Sequence, residues 1–96
     1  MKTISSQSFK NLLSIVPLNI IDLRDSFSFK KSNIPSSLNI KESLLLSKPQ
    51  SFLSKDKTYY LICTKGYTSK KVSLNLNSLG YNTISVNGGY SEYIKL

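Results

Sequence analysis

The chemistry available to this 96-residue chain converges on one sulfur atom. There is no His and a single Cys, Cys63, so Ser-His-Asp and Cys-His catalysis lack their imidazole base. One Cys without His also falls short of a structural zinc site, which needs about four such ligands. An intramolecular disulfide is impossible, which excludes a disulfide-stapled mini-domain. The acids are Asp22, Asp25, Glu42, Asp56 and Glu92, and they show no EF-hand spacing. Any nucleophilic chemistry therefore falls to Cys63, which is followed by Thr64-Lys65-Gly66-Tyr67-Thr68-Ser69.

A strand–loop–helix turn of this length can curl its backbone N–H groups around a sulfur held at its start. Successive donors and the positive end of the helix then make an anion site. That field favours a thiolate over a thiol and activates the Cys without a His. Gly66 permits a positive φ or close backbone approach. Lys65 adds a full charge, and the Thr68 hydroxyl can cap the helix or donate to the sulfur. Lys70 and Lys71 fall in the first helical turn, where cations oppose the macrodipole. Taken residue by residue, blander readings stand beside these. A lone Cys closing a buried strand is otherwise a small inert hydrophobe, and paired lysines are ordinary solvated surface. Arg24, next to Asp25, reads as a structural ion pair holding loops or as a substrate contact. Tyr67 either lines the pocket mouth or merely covers the loop. Asp22 and Asp25 lack the supporting carboxylates of an acid/base pair.

The elements that position these residues alternate along the chain. Thr3-Ile4 reads as a short strand or lead-in. Ser5 or Ser6 caps a first helix carrying Phe9, Leu12, Leu13 and Val16, which Pro17 ends. Asn19 to Arg24 is a buried strand, Ser26 to Lys31 a helical turn, and Ser36 to Ile40 another short strand. Glu42 to Ser54 accommodates one or two short helices around Pro49. Thr58 to Cys63 is a continuous apolar run, as expected of a central parallel strand buried on both faces. Thr68 or Ser69 opens a helix with Val72, Leu76 and Leu79 on one face, closed by Gly80. Tyr81 to Val86 is the next strand, Asn87-Gly88-Gly89 a turn, and Tyr90 to Leu96 a short helix or tail. The pattern predicts one α/β domain over residues 1–96 with a mainly parallel sheet. Ligands of such sheets bind beyond the carboxyl ends of the strands, where Cys63 falls.

Composition narrows the setting. Forty per cent hydrophobic residues is ordinary for a soluble domain, and no apolar run approaches the roughly 18 residues needed to span a membrane. The opening MKTISSQSFK has no signal-peptide core, so a cytoplasmic location is expected. The net charge of +8 rests on Lys with Arg24 the single Arg, a usage typical of AT-rich bacterial genomes. With the preferred base reader nearly absent, nucleic-acid binding is not expected.

Four segments, taken in order, resemble the single-domain rhodanese family, a sulfurtransferase fold. Ile21-Asp22-Leu23-Arg24-Asp25 is similar to its Asp-x-Arg-acid segment. Ser32 to Ile40 is similar to its Gly-His-Ile-Pro-Gly-Ala-x-Asn-Ile stretch. Tyr60 to Ser69 resembles its catalytic strand and loop. Leu79-Gly80-Tyr81 and Val86 to Tyr93 resemble its closing Leu-x-x-Gly-aromatic and Gly-Gly-x-x-x-Trp elements. The departures are Asn33 for His, Ser36 for Gly, Tyr93 for Trp, and Thr64 where active members often carry Arg. Lys65 matches a position that is Lys in some thiosulfate-using members.

The resemblance implies a rhodanese-like fold, with a five-stranded sheet flanked by helices. It implies ping-pong sulfur transfer with Cys63 as the catalytic residue and Thr64, Lys65, Gly66, Tyr67, Thr68 and Ser69 binding the substrate. A small anionic donor such as thiosulfate, or a persulfide, loads Cys63. A thiol, cyanide or an acceptor protein unloads it, with no metal or organic cofactor. A non-catalytic rhodanese-like module that binds a partner or senses sulfane sulfur is the alternative. The six-residue loop from Cys63 to Thr68 suits a sulfur atom. The related dual-specificity phosphatases use a loop one residue longer, and a Cys-x5-Arg phosphatase would need Arg where Ser69 stands.

Overall fold

In the computed structural model, which describes residues 2–96, strands and helices alternate. The strands are β1 (Thr3–Ile4), β2 (Asn19–Asp22), β3 (Leu38–Asn39), β4 (Thr58–Ile62) and β5 (Asn82–Val86). The helices are α1 (Ser6–Leu13), α2 (Ser26–Lys31), α3 (Glu42–Ser47), α4 (Tyr67–Ser78) and α5 (Gly89–Tyr93), with a 3-10 turn at Pro49–Ser51. The five strands form one sheet in the order β1-β5-β4-β2-β3, and every ladder is parallel. Among the described residues no helix is long and apolar enough to cross a membrane.

β4 lies at the centre because its side chains are apolar in both directions. Tyr59, Leu61 and Cys63 join Ile21, Leu45, Val72 and Leu76 in one cluster. Tyr60 and Ile62 join Phe9, Ile20, Ile34 and Val86 in the other. This period-2 alternation turns the Cys63 side chain toward α4. Leu61, Ile62, Leu45 and Leu76 are fully buried, and each contributes about 1.5–3 kcal/mol of transfer free energy. Ser5 is the N-cap of α1, accepting from the Ser8 N–H at 3.1 Å. Ser6 is instead buried, and its hydroxyl donates to the Asn87 carbonyl.

Several boundaries differ from those the sequence predicts. α1 ends at Leu13, leaving Val16 outside it and exposed. β2 stops at Asp22, because the Asp22 carboxylate accepts the Arg24 N–H at 2.9 Å and turns the chain out of the ladder. The strand expected from Ser36 shrinks to Leu38–Asn39, since Ser36 adopts φ 70° in a turn. α4 starts at Tyr67 rather than Thr68 or Ser69. Leu79 sits past the end of α4 and is exposed, so Val72 and Leu76 carry its buried face. Gly89 belongs to α5, not to the turn.

The end of β4 is fastened from the far side of the sequence. The Tyr90 N–H donates to the Cys63 carbonyl at 2.8 Å, and the Ser91 N–H to the Thr64 carbonyl at 3.0 Å. Gly89 makes this approach possible: at φ +63° a Cβ there would lie 2.4 Å from the Cys63 carbonyl oxygen and 2.7 Å from Thr64 backbone. Gly89→Ala must therefore displace backbone as well as adopt an unfavourable φ. It is expected to lower the unfolding free energy by about 3 kcal/mol in urea titration. A loss below about 1 kcal/mol would show that α5 does not fasten the loop.

Candidate active site

Cys63 follows the last residue of β4 and is 5% exposed. The chain then turns through Thr64-Lys65 to Gly66, which has φ 95° and is the N-cap of α4. A Cβ at Gly66 would sit 3.0 Å from the Gly88 N, so residue 66 packs against the turn before α5. This geometry aims the start of α4 back at the sulfur. Sγ of Cys63 accepts the Gly66 N–H at 3.1 Å and the Ser69 N–H at 3.2 Å. Both donors, and the positive end of a 12-residue helix, stabilise negative charge on the sulfur.

The Ser69 hydroxyl stands behind the sulfur and accepts from it. Ser69 Oγ lies 3.4 Å from Cys63 Sγ, 2.8 Å from Ser85 Oγ and 3.3 Å from the Gly66 carbonyl oxygen. Ser85 is fully buried on β5, and among the described residues its hydroxyl has Ser69 Oγ as its partner. Either hydroxyl can donate in this bond. With Ser85 as the donor, the Ser69 proton is free for the Gly66 carbonyl, or for the sulfur when that carries negative charge. The Ser69 N–H thus does what the sequence offered to the Thr68 hydroxyl, which is not among the donors to Sγ.

The sulfur stands in the wall of a pocket of about 330 Å³. Thr64, Lys65, Tyr67 and Thr68 line one side with Cys63; Leu23, Arg24, Asp25 and Glu42 line the other. Of the expected binding residues, these four loop residues face the pocket, whereas Gly66 and Ser69 hold the sulfur. Tyr67 is 79% exposed and stands at the mouth. Leu23 and Glu42 were not singled out by the sequence. Glu42 had one signal, being one of only five acids in a chain of 13 basic residues.

Arg24 pairs with Asp22 and not with its neighbour Asp25. Its guanidinium meets both Asp22 carboxylate oxygens, through Nε at 3.0–3.1 Å and Nη2 at 2.9 Å. Nη2 also donates to the Ser32 carbonyl, and the guanidinium carbon lies 3.7 Å from the Tyr90 ring centre. Asp22 is fully buried, so the pairing is what makes its charge tolerable inside the protein. Asp25 caps α2, accepting the Ser28 N–H at 2.8 Å and the Ser28 hydroxyl at 2.9 Å. Those bonds, the backbone one foremost, hold Asp25 below the usual carboxylate range. Lys71 ion-pairs with Glu42 at 3.5 Å across the gap between α4 and α3, while Lys70 is exposed. Among the described residues no three His, Cys, Asp or Glu gather where they could hold a metal ion.

The profile of the Rhodanese-like domain matches residues 5–96. A Bacillus subtilis (strain 168) protein named "Putative sulfurtransferase YtwF" is 32% identical over 89 residues, covering 92% of this chain and 85% of that one. The crystal structure of SSP1007 from Staphylococcus saprophyticus superposes with a TM-score of 0.88 at 29% identity, covering 97% of this chain and 93% of that one. A rhodanese-like domain protein from Staphylococcus aureus gives 0.86 at 29% identity, covering 97% and 91%. A parallel sheet in this order, a cysteine at the end of its central strand and a family match from Ser5 onward lead to one conclusion: the chain belongs to the rhodanese-like domain family.

Proposed function

We propose that the protein is a sulfurtransferase that carries sulfane sulfur on Cys63. The observation supporting this most strongly is the convergence of the Gly66 and Ser69 N–H groups on Cys63 Sγ at the wall of an open pocket. Such donors lower the cost of negative charge on the sulfur before reaction and on a terminal sulfur after it. The name of the Bacillus relative points to the same class.

In the first half-reaction the Cys63 thiolate attacks the outer sulfur of thiosulfate. The S–S bond of the donor breaks, its electron pair leaves on sulfite, and Cys63 becomes a persulfide. In the second, an acceptor nucleophile attacks the outer sulfur of that persulfide, and Cys63 leaves as the thiolate. Cyanide would depart as thiocyanate, and a thiol as its own persulfide. Lys65 in the pocket wall supplies positive charge where active relatives often carry Arg at the position of Thr64.

Intact mass spectrometry tests the carrier step. Reduced protein exposed to thiosulfate or a persulfide is expected to gain one sulfur atom, lost again on adding a thiol, with no gain in Cys63→Ser. An accessible thiol that gains nothing from any donor would leave a binding module rather than an enzyme.

Lys65→Ala is expected to slow loading from thiosulfate by about fivefold and to change loading from an uncharged persulfide little. Equal losses with both donors would refute a role for its charge.

The hydroxyl pair is read out by alkylation of Cys63 with iodoacetamide at neutral pH. Ser69→Ala is expected to slow it about tenfold. Ser85→Ala is expected to slow it in the native background and to have no further effect beside Ser69→Ala. Additive losses would show that Ser85 does not act through Ser69.

A further inference from the structure

Two aromatic side chains are left in water, and both flank the opening above Cys63. Among six Tyr and four Phe, only Phe27 and Tyr67 are mostly exposed, at 76% and 79%; the next, Phe52, is at 36%. Tyr67 lines the pocket with the sulfur. Phe27 stands in the first turn of α2, next to Asp25 and Ser26, which line an adjoining hollow of about 740 Å³. From Tyr67 the exposed face continues along α4. Lys70, Lys71 and Leu74 follow it at i+3, i+4 and i+7, on one stripe of the helix, and Leu74 is more than half exposed. Aromatic and aliphatic groups held in water around an opening are what an interface buries.

The same face is basic. Lys65 lines the pocket, Lys41 lines the adjoining hollow, and Lys70 is exposed on α4. Among the described residues these three lysines have no ion-pair partner. The carboxylates nearby are committed: Asp22 to Arg24, Glu42 to Lys71 at 3.5 Å, and Asp25 to the Ser28 cap of α2. Apolar anchors among unpaired cations suit a partner that carries carboxylates between apolar side chains. A second copy of the chain does not suit them, since it brings the same face and a charge of +8. Nucleic acid suits them less than protein does. Asp25 and the Lys71–Glu42 pair interrupt the track that a continuous row of phosphates needs, and the single Arg is bound to Asp22.

We infer that the face from Phe27 across the pocket mouth to Tyr67 and Leu74 is a docking surface for an acidic protein segment with apolar side chains among its carboxylates. Such a segment covers Phe27 and Tyr67, meets Lys41, Lys65 and Lys70, and lays one of its residues over Cys63. The surface does not depend on Cys63 carrying sulfur, and it serves a sulfur carrier and a binding module alike.

Disulfide exchange at Cys63 tests this without any sulfur donor. The probe is a peptide of about twelve residues, long enough when extended to cross a molecule of 32 × 27 × 22 Å. It carries Glu and Leu around a central Cys activated as the mixed disulfide with thionitrobenzoate. The Cys63 thiolate attacks the peptide sulfur, the S–S bond breaks, and thionitrobenzoate leaves with the electron pair as a coloured thiolate. Each rate is divided by the same variant's rate with iodoacetamide, which removes differences in the reactivity of Cys63. The acidic peptide is expected to outpace its Lys-for-Glu counterpart about tenfold at low salt, with the advantage shrinking at high salt. Phe27→Ser and Leu74→Ser are each expected to slow it about threefold and to leave its Ser-for-Leu counterpart unchanged. Lys70→Glu is expected to slow it about fivefold, against under about twofold for Lys57→Glu, the same change of charge before the opposite end of β4. Binding is read independently from a Trp at the peptide's end, since the chain has none, and the dissociation constants are expected to follow the same order. Native rates in both apolar variants, or equal losses at positions 57 and 70, would overturn the surface and leave only the long-range pull of the net charge. An oligonucleotide activated in the same way that outpaces the peptide would overturn it in favour of nucleic acid. Dimerisation of the native protein that is lost in Phe27→Ser would overturn it in favour of a second copy. Phe27, Lys70 and Leu74 lie outside the core, so circular dichroism is expected to show native folding in each variant.

Discussion

The carbonyl groups of Cys63 and Thr64 are bound by the first N–H groups of α5, and the rest of the site depends on this junction. Those two peptide groups are thereby fixed in direction, so the chain leaving β4 enters its turn along a set path. Gly66 then packs against Gly88, and the N–H groups of residues 66 and 69 arrive at the sulfur. A residue with a side chain at position 89 would push the two backbones apart. The loop after Cys63 is thus shaped as much by the turn before α5, some 25 residues downstream, as by its own sequence.

The opposite wall is fastened to the same helix. Arg24 is paired with buried Asp22, bonded to the Ser32 carbonyl, and stacked on Tyr90 of α5. Taking two charges out of water costs several kcal/mol per ion, and mutual attraction does little more than recover it. What the pair supplies is position. The ring of Tyr90 carries Arg24 on one face of the pocket, and the N–H of the same residue holds Cys63 on the other. Asn39 completes the brace, its side-chain amide donating to the Asp22 and Arg24 carbonyls at 2.9 and 2.8 Å. The walls around Cys63 therefore share α5 as a common support.

Much of this fold is written locally. The apolar run from Thr58 to Cys63 is long enough, and sufficiently rich in strand formers, to belong in the middle of a parallel sheet. Gly66 and Gly80 mark the two ends of α4 by the conformations they alone adopt readily. Boundaries set by side-chain bonds were harder to read. Asp22 ends β2 by capturing the Arg24 N–H, which nothing in the strand pattern of Asn19 to Arg24 reveals. Arg24 does form the structural ion pair its setting suggests, but the partner is Asp22, since the neighbouring Asp25 is taken by the cap of α2. Ser85 was illegible because its role exists only where β5 passes behind α4. Glu42 enters the pocket through the docking of α3, a contact no local pattern encodes.

Charge acts on two length scales here, and they select for different things. The excess of +8 extends over the whole surface and draws anions toward the protein, within a screening length of about 8–10 Å. It cannot tell one anion from another. Discrimination needs groups in contact with the ligand, and the wall of the pocket at Cys63 holds Asp25 and Glu42, two of the chain's five carboxylates. The outer field is uniformly positive, whereas the wall around Cys63 carries both signs, Lys65 and Arg24 beside Asp25 and Glu42. In a protein without a histidine, backbone N–H groups are the donors that reach the sulfur, and side-chain charge is left to shape the pocket around it.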